Sequence, residues 1–131
     1  GEYANSYGYQ RNGNFYYNGS STSTGYDSFT TNDIIGMAVD MDNLKIYWHK
    51  NGTYQGSKDP ASNNGETIVA PEEAYHMGIS VASSVANANF GNGIFGTTSI
   101  SSEGTNASGE GKFEYDVPSG YTALCTKGIN L

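Results

Sequence analysis

The sequence is poor in the residues that form disulfides, metal clusters and long helices. It contains one cysteine, Cys125, so no disulfide can form within the chain and no cysteine cluster can hold a metal. Only 15% of the residues are charged, and the helix-favouring residues Ala, Glu, Lys and Leu are scarce. No apolar run approaches the roughly 20 residues that cross a bilayer. These absences predict one all-β domain over residues 1–131 without a membrane segment.

Basic residues are scarce as well. Six Lys and Arg stand against 13 Asp and Glu, which gives a formal net charge of -7 at pH 7. Such a field repels phosphate backbones and anionic lipid surfaces, so we expect neither nucleic acid nor a membrane as partner. Such acidity is typical of proteins that stay soluble at high protein concentration. It is also compatible with a positively charged partner.

The clearest element that the sequence does contain is a β-hairpin over residues 33–51. Two apolar or alternating runs flank a turn of Asp and Asn at residues 40–44. Alternation places Ile46 and Trp48 on one face of the hairpin, and Tyr47 and His49 on the other. The predicted core consists of Ile35, Val39, Ile46, Trp48 and Phe90, with Trp48 as its anchor.

Further strands are predicted on both sides of this hairpin. Residues 7–9 and 14–17 alternate around an Asn-Gly turn, and residues 75–81, 88–90 and 112–117 also have the alternation of strands. Residues 96–111 are mostly Gly, Ser, Thr and Asn with one large apolar anchor, Ile100, so we expect a long mobile loop there.

No group of side chains predicts catalysis or a metal site. Asp40 and Asp42 have the alternate spacing that opens an EF-hand loop, but Lys45 occupies the position of the required glycine. His49 and His76 have no second ligand nearby in sequence. Cys125 has no adjacent group that would activate a thiol. We therefore predict a protein without enzymatic activity, cofactor or bound metal.

The order of several short motifs resembles the core of the SPRY domain. These motifs are DIIG at 33–36, VDMDN at 39–43, KIYW at 45–48 and KNG at 50–52. NFG at 89–91 and PSGY at 118–121 are similar to the last two strands of that domain. The closing GYTALCT at 120–126 resembles SPRY modules of phage and environmental virion proteins.

The resemblance implies a bent antiparallel β-sandwich of the concanavalin-type jelly-roll class, which binds other molecules through loops at one rim and has no activity of its own. Leu44 departs from the family, which often has Gly after the Asp-Asn turn. The family's opening strands would precede Gly1, so residues 1–131 are expected to form a partial domain, its C-terminal two-thirds. Another chain, a neighbouring copy or the rest of a longer chain would then supply the opening strands.

Tyrosine is the most informative excess, with 11 residues among abundant Asn, Ser and Gly. This composition is typical of adaptable binding surfaces, although half of these tyrosines could instead fill the sandwich. The candidate binding residues are Tyr16, Tyr17, Tyr54, Gln55 and Asn63.

Three functions fit these observations. The first is a protein-binding or structural module of a virion or an extracellular assembly, such as a phage tail fibre or decoration protein, built from copies of itself. The second is an intracellular, cytoplasmic SPRY adaptor that binds a short peptide. The third is a jelly-roll domain that binds or hydrolyses carbohydrate, which would need exposed flat aromatic side chains.

Overall fold

The computed structural model describes residues 5–72 and 74–125 of the chain. In these residues the regular structure consists of nine β-strands and two single-turn 3-10 helices, Gln55–Ser57 and Pro60–Ser62. All strands pair in antiparallel fashion. The predicted all-β fold class is confirmed. The chain divides into two compact units, residues 1–73 and residues 74–131.

The first sheet of the N-terminal unit is a three-stranded meander. Its strands are β1 (Tyr7–Tyr9), β2 (Asn14–Tyr17) and β3 (Ser20–Ser23), in that spatial order. Gly13, with φ of 88°, and the pair Asn18-Gly19, with φ of 51° and 76°, occupy the two turns. These positive φ values need Gly or Asn. The predicted strands at 7–9 and 14–17 are therefore confirmed.

The second sheet is organised around the predicted hairpin. It contains β4 (Ile35–Asp40), β5 (Lys45–Lys50), β6 (Thr53–Tyr54) and β7 (Glu66–Thr67). The strand order is β4-β5-β6, and β7 also pairs with β5. The register sets Met37 opposite Trp48 and Val39 opposite Ile46. The two faces of β5 therefore carry the residues that the alternation assigned to them.

The turn between β4 and β5 is closed by Asp40. Its Oδ1 accepts hydrogen bonds from the backbone N–H groups of Asp42 and Asn43, at 3.0 and 2.9 Å. This geometry is an Asx turn, and it lowers the pKa of the Asp40 carboxyl, chiefly through its hydrogen bonds to Asn43. Leu44 ends the turn with φ of 55°. A leucine thus adopts the left-handed conformation that the family's glycine would favour.

We expect Leu44→Gly to raise the free energy of unfolding by about 0.5 to 1 kcal/mol. A left-handed L-residue costs roughly 1 to 2 kcal/mol, which exceeds the roughly 0.5 to 1 kcal/mol of extra unfolded-state entropy that glycine brings. Met41→Gly is the matched control, because Met41 is an exposed residue of the same turn without a positive φ. Urea unfolding measures both variants, and equal destabilisation by the two would contradict a strained Leu44.

Aromatic side chains fill the space between the two sheets of the N-terminal unit. The ring of Tyr9 lies 5.2 Å from that of Tyr26, 5.1 Å from that of Phe29 and 6.2 Å from that of Trp48. Phe15 and Tyr26 are buried, with their ring centroids 6.2 Å apart. Tyr9 and Tyr26 therefore pack against other aromatic rings in the interior of this unit.

The opposite face of the second sheet holds the deepest side chain. Tyr47 is 0% exposed and is the largest fully buried residue among those described. Gly65 lies against it so closely that a Cβ there would stand 2.6 Å from the Tyr47 ring. Tyr47 therefore occupies the anchoring role that we had predicted for Trp48, which is only half-buried.

The other predicted core residues differ in their burial. Ile46 is buried, as predicted, whereas Ile35 and Val39 are half-buried because their strand lies at the edge of the sheet. Phe90 was predicted to be core and is 44% exposed, so that prediction is wrong. No strand forms around it, because Asn89 Oδ1 instead accepts hydrogen bonds from the N–H groups of Gly91 and Gly93.

The C-terminal unit has little regular structure. Its two strands are β8 (Ile94–Phe95) and β9 (Thr98–Ser99), which form a small hairpin. An isolated parallel bridge joins Asn92 to Lys112. The strands predicted at 75–81, 88–90 and 112–117 do not form. The predicted loop at 96–111 contains β9, and its later part is held by bonds from Asn106 Nδ2 to the carbonyls of Glu110 and Gly111.

Candidate interaction surface

Two of the five candidate binding residues, Tyr54 and Asn63, lie around the buried Tyr47. The Tyr54 ring packs edge-on to Tyr47, at 6.4 Å between centroids, and to His49, at 5.6 Å. Burial, with a smaller contribution from Asp59, raises the Tyr54 pKa to about 12. Asn63 is exposed, has φ of 51°, and its Oδ1 accepts a 3.4 Å hydrogen bond from the Tyr47 hydroxyl. Of the two, Asn63 presents more of its surface to a ligand.

Gln55, another of the candidate binding residues in a predicted loop, is buried. Its side chain is part of the interior, with the residue 4% exposed. Its Oε1 accepts a 2.7 Å hydrogen bond from the N–H of Asp27, and its Nε2 donates to the carbonyl of Thr53 at 2.9 Å. A buried amide is stable only with such partners, so Gln55 joins the second sheet to the segment that follows β3.

Tyr16 and Tyr17 lie on opposite faces of the first sheet. Tyr17 is exposed and stacks on Tyr7, with centroids 5.0 Å apart and planes 16° apart. The Tyr7 hydroxyl accepts a 2.8 Å hydrogen bond from the N–H of Val69. Tyr16 is half-buried and has Gly8 and Ser21 as its cross-strand neighbours. These two tyrosines therefore do not form one surface with each other.

The His49 side chain packs into the structure beside Gly36. Its ring packs against Gly36, where no Cβ could be accommodated, and its Nδ1 accepts a 3.2 Å hydrogen bond from the N–H of Gly52. Burial lowers its pKa from 6.5 to about 4. His49 is therefore neutral at pH 7 and structural.

A charged cluster joins the two ends of the hairpin. Asn51 Nδ2 donates to Asp33 Oδ1 at 2.6 Å, and Lys50 Nζ lies 3.5 Å from Asp33 Oδ2. The hydrogen bonds from Thr30 and Asn51 are the main reason for the lowered pKa of Asp33. Asn51 Oδ1 also accepts from the N–H of Ile34 at 2.8 Å. This cluster positions the first residues of β4.

The outer edge of β4 is the most distinctive interaction feature of the N-terminal unit. The N–H of Asn51 donates to the carbonyl of Ile34 at 2.8 Å. This bond identifies which residues of β4 direct their N–H and C=O groups toward β5. Because antiparallel ladders alternate, the N–H and C=O groups of Ile35, Met37 and Val39 point away from β5. In the part of the chain that the structure describes, no strand pairs with this side of β4.

This edge lacks the features that usually prevent strand addition. The sequence of β4, IGMAVD, has no proline and no lysine, and its register with β5 is continuous over six residues, so it has no bulge. We did not identify this edge from the sequence, because alternation predicts a strand but does not show how many neighbours it has.

Nothing in residues 5–72 and 74–125 forms a group of three or more His, Cys, Asp or Glu side chains that could hold a metal ion. Asp40 and Asp42 belong to the Asx turn, and Asp59 caps the second 3-10 helix by accepting from the N–H of Ala61 at 2.9 Å. Within the same residues, no helix has the length and apolarity needed to cross a membrane.

Comparison with protein families gives one match. The family model described as SPRY domain matches residues 1–69, and thus the N-terminal part of the chain. The motifs at 89–91 and 118–121, and the phage-like motif at 120–126, whose last residue lies outside the described ones, are not within that match. A search of curated proteins and a search of solved structures found no match. On the match to residues 1–69, the chain belongs to the SPRY domain family.

Proposed function

We propose that this protein is a structural interaction module of a virion or an extracellular assembly, such as a phage tail fibre or decoration protein, and that it associates with other copies of itself. SPRY domains generally mediate protein interactions and are not catalytic. The acidic, weakly charged chain fits a protein partner better than nucleic acid or a membrane.

The outer edge of β4 is the observation that supports this proposal. At this edge the main-chain N–H and C=O groups of Ile35, Met37 and Val39 can form hydrogen bonds with an extended chain. Main-chain hydrogen bonds of this kind give affinity without special side chains. A six-residue apolar edge without proline, lysine or a bulge is the type of edge that pairs with another chain.

We expect the wild-type protein to self-associate with rising concentration, and Met37→Pro to weaken this association at least tenfold. The proline removes one outward N–H and leaves the ladder with β5 intact, which edge strands tolerate. Sedimentation equilibrium measures the association constant. A wild-type protein that stays monomeric at high concentration contradicts self-association.

A second variant separates loss of association from loss of folding. Ile35→Lys places a lysine on the same edge, which is a device that natural edge strands use to block pairing. Met41→Lys adds the same charge at an exposed turn residue and serves as the matched control. If Ile35→Lys and Met41→Lys associate equally well while both remain folded by circular dichroism, the β4 edge is not the contact.

A carbohydrate-binding function has one observation in its favour. Tyr16 lies on the outer face of the first sheet, on the same face as Asn14, whose Nδ2 donates to Ser21 Oγ at 2.7 Å. An aromatic ring beside amide and hydroxyl groups can stack on a sugar and bond its hydroxyls. A glycan array in which wild type and Tyr16→Ala both fail to bind removes this alternative.

The alternative function is that of an intracellular adaptor, which would bind a peptide instead of a second copy of the chain. An extended peptide could add to the same β4 edge. A monomeric protein whose β4 amides become protected only when a peptide library is added would favour an intracellular adaptor over an assembly protein.

A further inference from the structure

Residues 75–81 form an exposed segment with the side-chain pattern of a strand. Tyr75, Met77, Ile79 and Val81 alternate with polar or small residues, and Ile79 is 58% exposed. Soluble proteins seldom leave several large apolar side chains in such a row exposed to water. The segment belongs to no strand ladder in the structure. Its sequence pattern and its exposure therefore both indicate a surface that a partner covers.

The backbone of this segment is ready to become a strand. None of its seven residues has a positive φ, and it contains no proline. A strand needs φ in the negative region throughout, so extension here requires no reversal of a left-handed residue. The next left-handed residue along the chain is Ser83, with φ of 54°, which would end such a strand.

The segment and the β4 edge fit each other in length and in charge. Residues 75–81 contain no Asp, Glu, Lys or Arg, and β4 carries only Asp40, at its end. Copies of a chain with a net charge of -7 repel each other on average, and two surfaces with almost no charged residues add little to that repulsion. Seven residues are also enough to span a six-residue strand.

We propose that residues 75–81 of one copy add as a strand to the outer edge of β4 in a second copy. The N–H and C=O groups of Ile35, Met37 and Val39 then gain main-chain partners, and alternate side chains of the added strand are covered. Each copy carries one donor segment and one acceptor edge, so the contact closes as a two-fold dimer or continues into a chain of copies. This inference rests on the self-association proposed above and names its two surfaces.

The test compares two lysine substitutions at exposed positions of the same unit. Ile79→Lys charges the donor segment, and Val85→Lys, at a residue that is 86% exposed, adds the same charge outside it. We expect Ile79→Lys to weaken self-association at least tenfold in sedimentation equilibrium, and Val85→Lys to leave it within twofold of wild type. Because both side chains are exposed, neither change should alter the unfolding midpoint of the monomer.

Hydrogen exchange at low and high protein concentration supplies the second readout. We expect the amides of Met37 and Val39 and those of residues 76–80 to gain protection together as the protein associates. If Ile79→Lys associates like wild type while Met37→Pro does not, the donor is another segment and only this inference fails. If wild type is monomeric and residues 75–81 are protected already in dilute solution, the segment docks without a second copy, and both proposals fail.

Discussion

Replacing Tyr47 by alanine is expected to lower the free energy of unfolding by about 4 kcal/mol. The side chain is fully buried between the second sheet and the segment around Gly65, and removal of a buried aromatic ring costs about 3 to 5 kcal/mol because it loses burial and leaves a cavity. A domain with a total stability of about 5 to 15 kcal/mol would become marginal. Urea unfolding followed by circular dichroism measures the change.

Two further variants serve as controls. Tyr47→Phe keeps the ring and removes the hydroxyl, which donates a 3.4 Å hydrogen bond to Asn63 Oδ1, so we expect a cost of about 1 kcal/mol. Tyr17→Ala removes the same ring from an exposed position and should cost less than half as much as Tyr47→Ala. Equal effects of Tyr17→Ala and Tyr47→Ala would show that Tyr47 is not the anchor of the sheet.

Acid is expected to destabilise the N-terminal unit through His49. Its pKa is about 4 in the folded chain, against 6.5 for the ordinary group, so between these values the unfolded chain binds a proton that the folded chain does not. The stability that the neutral His49 contributes is therefore fully present above pH 6.5 and decreases as the pH drops. By pH 4 the free energy of unfolding is lower by about 2 to 3 kcal/mol. Protonation also removes the acceptor for the N–H of Gly52.

Unfolding experiments at pH 7.0, 5.5 and 4.5 measure this loss. His49→Gln should flatten the dependence of stability on pH between pH 6.5 and 4. The pKa values of Asp33 and Asp40 are lowered from 3.8. The stability that these two carboxylates contribute is therefore lost only as the pH falls below about 4. An unchanged slope in His49→Gln would contradict a buried, neutral His49.

The hairpin could be predicted from the sequence because its evidence is local. Alternation from Ile46 to His49 and the Asp40 turn specify strands, faces and a connection within twenty residues. The relative burial of the two faces was not predictable. Tyr47 is deeper than Trp48 because Gly65 and the segment before it return over the Tyr47 face, and that return depends on contacts between distant residues.

The binding residues were harder to predict than the strands. Gln55 has the composition of an exposed loop, yet its amide satisfies backbone groups of Asp27 and Thr53 in the interior. The residues 75–81 have the alternation of a strand and form none, because alternation describes one strand and pairing requires a second. For the same reason, the sequence could not show that one side of β4 pairs with no strand among the described residues.

Trp48 gives this protein a built-in optical probe. It is the single tryptophan among 11 tyrosines, and its ring lies 6.2 Å from that of Tyr9 at the contact between the two sheets of the N-terminal unit. Its Nε1 is buried and has no hydrogen-bond partner in the described residues, so the indole is shielded from water at its polar end. Excitation absorbed by nearby tyrosines passes to this one ring, and its emission shifts to longer wavelength when separation of the two sheets exposes the indole to water.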